Sequence, residues 1–412
     1  MRKLFFLLAM WATAPAFAQT GFDSWLAAFR QDAAAQGISA DTLDAALTGM
    51  RPVERVIQLD SGQPEFLSTF ADYLGKRVTP AQVARGQAKL AEHAELLAAV
   101  EQKYGVPKNV LVAFWGLETN YGANMGSLNI PASLATLAWE GRRSAFFRKQ
   151  LLDALRIIDA GHVAAIDMNG SWAGAMGHMQ FMPSTFRAYA VDGDGDARID
   201  LWQSLPDAMN SAANYLKRAG WRTGEPVAIE VQLPAGFDWR QARMAHRLPV
   251  ADWAARGVAP MDGGALPAVA GRAAVVLPQG WQGPAFMVFD NFDVVMDWNR
   301  SVSYALSVAQ LAHQVAGGGA LVALPAEMGS LTTDQMKFLQ TALNQLGFDA
   351  GKPDGLPGPR TQTALRLYQV KHQLPADGYP APSVLADVER RHAEAAAAGT
   401  LVKPAPTFAD AP

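Results

Sequence analysis

A single carboxylic acid closes an apolar run, Val110-Leu111-Val112-Ala113-Phe114-Trp115-Gly116-Leu117-Glu118, ahead of Thr119-Asn120-Tyr121-Gly122. A fold that accepts this segment has to surround a carboxyl group with apolar neighbours. A carboxyl shielded in that way prefers its neutral form, so its pKa rises and it can hold a proton at neutral pH. A proton held there is what cutting a glycosidic bond requires. A solvated glutamate at a helix end is the other reading, and the segment alone leaves both open.

The surroundings read as helical. Trp25, Phe29 and Ala33 share one face, and Ser39-Ala40-Asp41-Thr42 starts a new segment that runs from Leu43 to Leu47. Thr79-Pro80 suits an N-cap followed by Pro at the first helical position, opening one long amphipathic helix over 79–103. Gly105-Val106-Pro107 breaks it before the Glu118 helix. Further helices are expected over 142–160, over 206–219 with Gly220 as the stop, and over 301–315. Between them the pattern changes. Val227 to Leu233 alternates with period two, and Ala273 to Leu277 and Ala285 to Phe289 are shorter strand candidates between Gly and Pro turns.

Residues 1–18 read as an export signal: Arg2 and Lys3, an apolar core from Leu4 to Trp11, and Ala16-Phe17-Ala18 as a cleavage site before Gln19. No cysteine follows that site to accept a lipid, and no later run reaches the roughly 18 unbroken apolar residues of a membrane span. The expectation is a protein that is soluble in the periplasm after signal removal. Its lack of cysteine excludes disulfides, thiolate catalysis and Cys-ligated metals. Loss of Arg2 and Lys3 takes the formal charge from −3 to −5. A mildly acidic, evenly mixed chain argues against nucleic acid as a partner and against electrostatic capture of a polyanion. Recognition must come from a shaped groove and its hydrogen bonds.

Three further blocks carry chemistry. In Ser171-Trp172-Ala173-Gly174-Ala175-Met176-Gly177-His178-Met179-Gln180, the glycines let a backbone or ligand approach closely, and Ser171 and Gln180 can bond hydroxyl or acetamido groups. A tightly packed core loop is the alternative. In Asp192-Gly193-Asp194-Gly195-Asp196-Ala197-Arg198-Ile199-Asp200, carboxylates at positions 1, 3, 5 and 9 match the first part of a calcium loop. Arg198 falls where only a backbone carbonyl is used. Gln203 replaces the usual position-12 glutamate, and Asp207 is the candidate stand-in. A solvated acidic turn is the alternative. Trp298-Asn299-Arg300-Ser301-Val302-Ser303-Tyr304 places polar residues before a helix and, alone, reads as a capped start.

Taken together, in this order over about residues 22–316, the blocks resemble the lytic murein transglycosylases of the membrane-bound lytic transglycosylase B type. Trp139-Glu140-Gly141-Arg142-Arg143-Ser144 also looks like that family. Trp298 departs from it, standing where Tyr is common, as do His178-Met179, which stand where Tyr-Gly is common. Residues 331–392 resemble a peptidoglycan-binding module, through Leu339-Gln340, Leu346-Gly347-Phe348, Asp354-Gly355 and Asp377-Gly378.

The resemblance implies a mainly α fold with a small β portion: a lysozyme-like catalytic core with added helical and β segments, then a small three-helix module. The expected division is signal peptide 1–18, catalytic region 19–316, linker 317–330, module 331–392 and disordered tail 393–412. It implies that Glu118 protonates the oxygen leaving MurNAc C1 and then takes a proton from the C6 hydroxyl, which closes a 1,6-anhydro ring. Ser171, Gln180, Asn299, Tyr304, Tyr215 and Tyr73 match groove positions. No cofactor is implied for catalysis, and a structural Ca²⁺ is implied at Asp192, Asp194, Asp196, Arg198, Asp200 and Asp207. The partners implied are peptidoglycan glycan strands, with cell-wall synthesis or division proteins as candidates, acting on a monomer. Two other functions stay open: a hydrolytic muramidase on the same fold, and a non-catalytic wall-binding scaffold. The module is expected to act as a tether, with docking onto the catalytic region as the alternative.

Overall fold

Helix starts fall where short polar side chains can cap them. Ser39 accepts the Thr42 N–H ahead of the helix Ala40–Leu47, Thr79 accepts the Gln82 N–H ahead of Pro80–Glu92, and Ser301 accepts the Tyr304 N–H ahead of Val302–Val315. Each cap satisfies a backbone donor that has no partner inside its helix. The computed structural model describes residues 16–61, 68–141, 143–323 and 329–402. The expected signal peptide lies mostly outside the described residues; the first helix is Ala16–Ala35. None of the described helices is long and apolar enough to cross a membrane.

The chain divides into two compact units, Met1–Gly62 with Gly122–Ala212, and Gln63–Tyr121 with Ala213–Pro412. The first is built on the helices Ile130–Glu140 and Ser144–Asp159, which pack against each other around Leu134, Leu151 and Leu155. A short antiparallel pair, β1 (Leu128–Asn129) and β2 (Asn169–Gly170), sits beside them. Asp159 ties the entry of Ala40–Leu47 to this pair of helices by accepting the Thr42 hydroxyl at 2.7 Å.

In the second unit the helix Lys108–Thr119 is buried at every position from Val110 to Leu117, as its composition demands. It packs against Val302–Val315 and Pro80–Glu92. Close approach depends on Gly116: a Cβ there would come within 2.7 Å of the Tyr121 ring, whose hydroxyl donates to the Gln82 carbonyl at 2.8 Å. The single helix expected over 79–103 is two, Pro80–Glu92 and Ala94–Tyr104. His93 leaves helical geometry between them and meets the Trp115 ring at 5.7 Å, a tertiary contact that local periodicity cannot encode.

The β portion of this unit is a five-stranded sheet of β3 (Ala228–Gln232), β4 (Leu248–Pro249), β5 (Ala259–Pro260), β6 (Arg272–Val276) and β7 (Ala285–Val288), ordered β4-β6-β7-β3-β5. All its pairings are antiparallel, with Ala228 opposite Val288 and Val275 opposite Met287. Its core gathers Val231, Trp253, Val275, Met287 and Phe289.

The module's three helices are Thr333–Gln345, Pro359–Lys371 and Pro382–Ala397. They close on Met336, Leu339, Leu365, Tyr368 and Val388. The last helix runs past residue 392, where the disordered tail was expected to start, because its alanine-rich end keeps high helix propensity. Residues 403–412 lie outside the described residues. The linker is anchored to the sheet: Glu230 of β3 accepts the Val322 and Ala323 N–H groups at 2.9 and 2.8 Å.

Candidate functional site

Glu118 occupies the last turn of Lys108–Thr119, half-buried. Two donors converge on one of its oxygens. The Tyr304 hydroxyl donates to Oε1 at 2.5 Å and the Trp298 indole N–H donates to the same Oε1 at 2.9 Å. Both come from the Asp290–Trp298 and Val302–Val315 helices, which the Ser301 cap joins through a tight turn. Phe114, one turn before Glu118, packs on both donors, with ring centroids 4.6 Å from Trp298 and 6.2 Å from Tyr304. Tyr215 stands edge-on to Trp298 at 5.0 Å.

Burial holds the Glu118 carboxyl above the usual carboxylate range, against the pull of Tyr304, Trp298 and the Arg77 charge. Burial, and then the Glu118 charge, keep the Tyr304 phenol well above its ordinary range, so it remains a donor. Tyr73 and Arg77 belong to the helix Phe70–Arg77. The Arg77 guanidinium lies over the Tyr73 ring at 5.3 Å and donates to the Leu117 carbonyl at 3.2 Å. The Tyr73 phenol is raised by burial, lowered by Arg77 and raised by Glu118.

A carboxyl group whose Oε1 accepts two hydrogen bonds carries its proton on Oε2. Once ionised, the same two donors stabilise the carboxylate. The arrangement can therefore release a proton and take one back at one position. The second unit thus gathers Tyr304 and Tyr215 around Glu118 and Trp298, and places Tyr73 within electrostatic reach of Glu118. Asn299 is exposed on the turn before Ser301, where its carbonyl accepts the Ser301 N–H at 2.7 Å. Its side chain is not among the groups bonded to Glu118.

Ser171 and Gln180 lie in the first unit. The Ser171 hydroxyl accepts the Ala175 N–H at 3.0 Å, and the Gln180 amide nitrogen donates to the Met125 and Gly177 carbonyls, each at 3.1 Å. Both half-buried side chains brace a loop whose Met176 and Met179 are fully buried. A Cβ at Gly170 would fall 2.2 Å from the Ala175 carbonyl oxygen, so the loop closes on its own backbone.

The acidic loop brings carboxylate oxygens of Asp192, Asp194 and Asp196 within 4.8 Å of one another. That spacing suits oxygens that share a Ca²⁺ at about 2.4 Å each. The loop's carboxylates also accept its backbone donors: Asp192 takes the Gly195 and Ala197 N–H groups at 2.6 and 2.8 Å, and Asp196 the Arg198 N–H at 2.8 Å. Asp200 accepts the Trp202 and Gln203 N–H groups at 2.9 and 2.8 Å and pairs with the Arg198 guanidinium. Asp207 accepts the Gly193 and Asp200 N–H groups, both at 2.7 Å.

Sequence reasoning missed Trp298, Arg77 and Phe114 as parts of the site. Phe114 had a signal, since it precedes Glu118 by one helical turn. Trp298 was noted only as a departure from a tyrosine, and its indole N–H replaces a hydroxyl donor. Arg77 had no local signal.

Comparison with known proteins follows this geometry. The family described as the transglycosylase SLT domain matches residues 21–313, and a peptidoglycan binding domain matches residues 332–386. The chain is 34% identical over 250 residues to the membrane-bound lytic murein transglycosylase B of Escherichia coli strain K12, a match covering 59% of this chain and 66% of that relative, just under two thirds. SltB3 from Pseudomonas aeruginosa, solved in complex with NAG-anhNAM-pentapeptide, is similar at 45% identity and TM-score 0.87, over 89% of this chain and 99% of that one. Slt35 from Escherichia coli, solved in complex with calcium, is similar at 29% identity and TM-score 0.61, over 72% of this chain and 93% of that one. The mainly helical, lysozyme-like architecture is shared with these structures, and the SltB3 likeness extends over 89% of this chain.

Proposed function

The chain belongs to the transglycosylase SLT domain family, and on that premise we propose that it is a peptidoglycan lytic transglycosylase of the periplasm. It cuts the β-1,4 bond between MurNAc and GlcNAc without water and leaves 1,6-anhydro-MurNAc ends. The observation that carries this reading is the Glu118 carboxyl, raised by burial and held at Oε1 by two neutral donors, Tyr304 and Trp298. Two-carboxylate glycosidases set a second carboxylate across the bond. Here the groups bonded to Glu118 are a phenol and an indole.

The Glu118 proton passes from Oε2 to the glycosidic oxygen as the C1–O bond breaks. The resulting carboxylate is held by the Tyr304 hydroxyl and the Trp298 N–H, with the Arg77 charge favouring it. It then takes the proton of the MurNAc C6 hydroxyl, whose oxygen closes on C1. One group thus serves as acid and then as base, and is regenerated protonated. SltB3, solved with an anhydro-muropeptide, supports this product. Asn299, Tyr215 and Tyr73 of the second unit bind glycan, and Ser171 and Gln180 of the first unit are assigned the same role from their match to the family's positions. Asp192, Asp194 and Asp196, with the Arg198 carbonyl and with Asp200 and Asp207 beside them, would hold a structural Ca²⁺ that takes no part in the reaction. The Slt35–calcium complex supports that assignment.

Digestion of purified sacculi in ¹⁸O-water, followed by mass spectrometry, tests the reading. Released MurNAc ends should be unlabelled and lighter by one water than the reducing form. Labelled, reducible ends would make the protein a hydrolase.

A further inference from the structure

The module meets the sheet region through its closing turn. Asp377, buried in that turn, accepts the Gln369 amide at 2.8 Å and the Tyr379 N–H at 2.9 Å through Oδ1. Its Oδ2 reaches out of the module to the Trp281 N–H at 2.9 Å. The fit is close. Gly280 has φ +72°, and a Cβ there would fall 2.9 Å from Asp377 Oδ2 and 3.1 Å from Tyr379. Arg366 adds a bond to the Ala242 carbonyl at 3.4 Å.

The loop so clamped carries Gln279, whose side chain is buried and accepts the Ala71 N–H at 2.9 Å. Ala71 is in the first turn of Phe70–Arg77, where backbone donors lack intrahelical partners. Phe70 of that turn is buried edge-on against Phe286 of β7, at 5.7 Å. The Tyr379 phenol is raised by burial, then by Asp377 and by Asp72 of the same helix. The helix bears Tyr73 and Arg77, and Arg77 bonds the Leu117 carbonyl next to Glu118.

We propose that the C-terminal module is a positioning element for the Glu118 site: Asp377 fixes the 279–281 loop, Gln279 fixes the start of Phe70–Arg77, and that helix sets Arg77 and Tyr73 against Glu118. The proposal rests on the lytic transglycosylase reading and extends it. Asp377 and Gln279 are positioning residues that touch no reacting atom. The module has a role beyond raising the local concentration of enzyme at the wall.

The test uses the full chain carrying Gln279→Ala or, separately, Gly280→Ala, assayed on soluble glycan strands so that capture by the wall does not enter. Gly280→Ala loosens the same clamp from the sheet side and leaves the module's own bonds intact. With cooperative melting retained, each variant should lose about tenfold in kcat with little change in KM, as expected when a catalytic constellation is displaced by a fraction of an ångström to an ångström. The pH profile supplies the second readout. Glu118 must be protonated to act, so activity falls as pH rises through its pKa. Slackening Arg77 removes an influence that lowers that pKa, while Tyr304 and Trp298 remain, so this limb should move to higher pH. A folded variant with wild-type kcat and an unmoved limb overturns the proposal. If instead wild-type products carry reducing ends, or Glu118→Gln stays active, the underlying reading fails.

Discussion

Tyr304→Phe removes one of the two donors on Glu118 Oε1 and leaves the ring that packs on Phe114. The hydroxyl matters most when Glu118 is ionised, since a hydrogen bond to a charged group contributes about 1.5–3 kcal/mol, roughly twice a neutral one. The first chemical step creates that ion. The neutral acid already holds this bond, so the difference of about 0.7–1.5 kcal/mol would slow the step by roughly 3- to 13-fold, with the remaining Trp298 bond keeping the loss toward the lower end. The pH profile should move in a set direction. Tyr304 lowers the Glu118 pKa, so its removal raises that pKa further. The protonated acid persists to higher pH, and the limb along which activity falls with rising pH shifts upward. The variant should therefore show a reduced plateau with an alkaline-shifted limb. Initial rates on soluble glycan strands, taken across pH, measure both. An unchanged plateau, or a limb that moves to lower pH, would refute the role given to the hydroxyl.

Glu118→Gln should keep the fold, because the amide oxygen can still accept from Tyr304 and Trp298, and should lose at least ~10²–10⁴-fold in cleavage of sacculi because it has no proton to give. More than a tenth of the wild-type rate would sink the assignment. Millimolar Ca²⁺, compared with chelator, should raise the melting temperature through binding to the native state alone, and Asp192→Asn with Asp194→Asn should remove that rise. Equal melting temperatures for the wild type in both conditions would rule out the ion.

What could be read in advance was what neighbours in sequence encode. Glu118 announced its burial through the apolar residues around it, and Ser39, Thr79 and Ser301 announced helix starts through side chains that cap donors three residues on. What could not be read depended on distant partners. Trp298 reaches Glu118 across 180 residues of chain, and nothing local marks the indole as a donor rather than a packed ring. The strands β4 and β5 escaped notice because each has two residues and ends in Pro, which suits the sheet edges they occupy. The linker expected over 317–330 goes with a tethering module, yet the Glu230 carboxylate that clips its Val322 and Ala323 backbone lies on a strand much earlier in the chain. Ser171 and Gln180 were read as side chains able to bond hydroxyl or acetamido groups, but the sequence could not show that their own loop already engages the Ser171 hydroxyl and the Gln180 amide nitrogen.

The two oxygens of Asp207 have a consequence for how the acidic loop meets a cation. By accepting the Gly193 and Asp200 N–H groups, Asp207 staples both ends of the loop from within the protein. The loop is thereby a rigid receptacle rather than one that the ion must wrap around itself. Little chain entropy remains for the ion to quench, so occupancy should follow the mutual repulsion of three carboxylates and hence ionic strength. Chelation should empty the receptacle while leaving its backbone amides as slow to exchange with solvent as before.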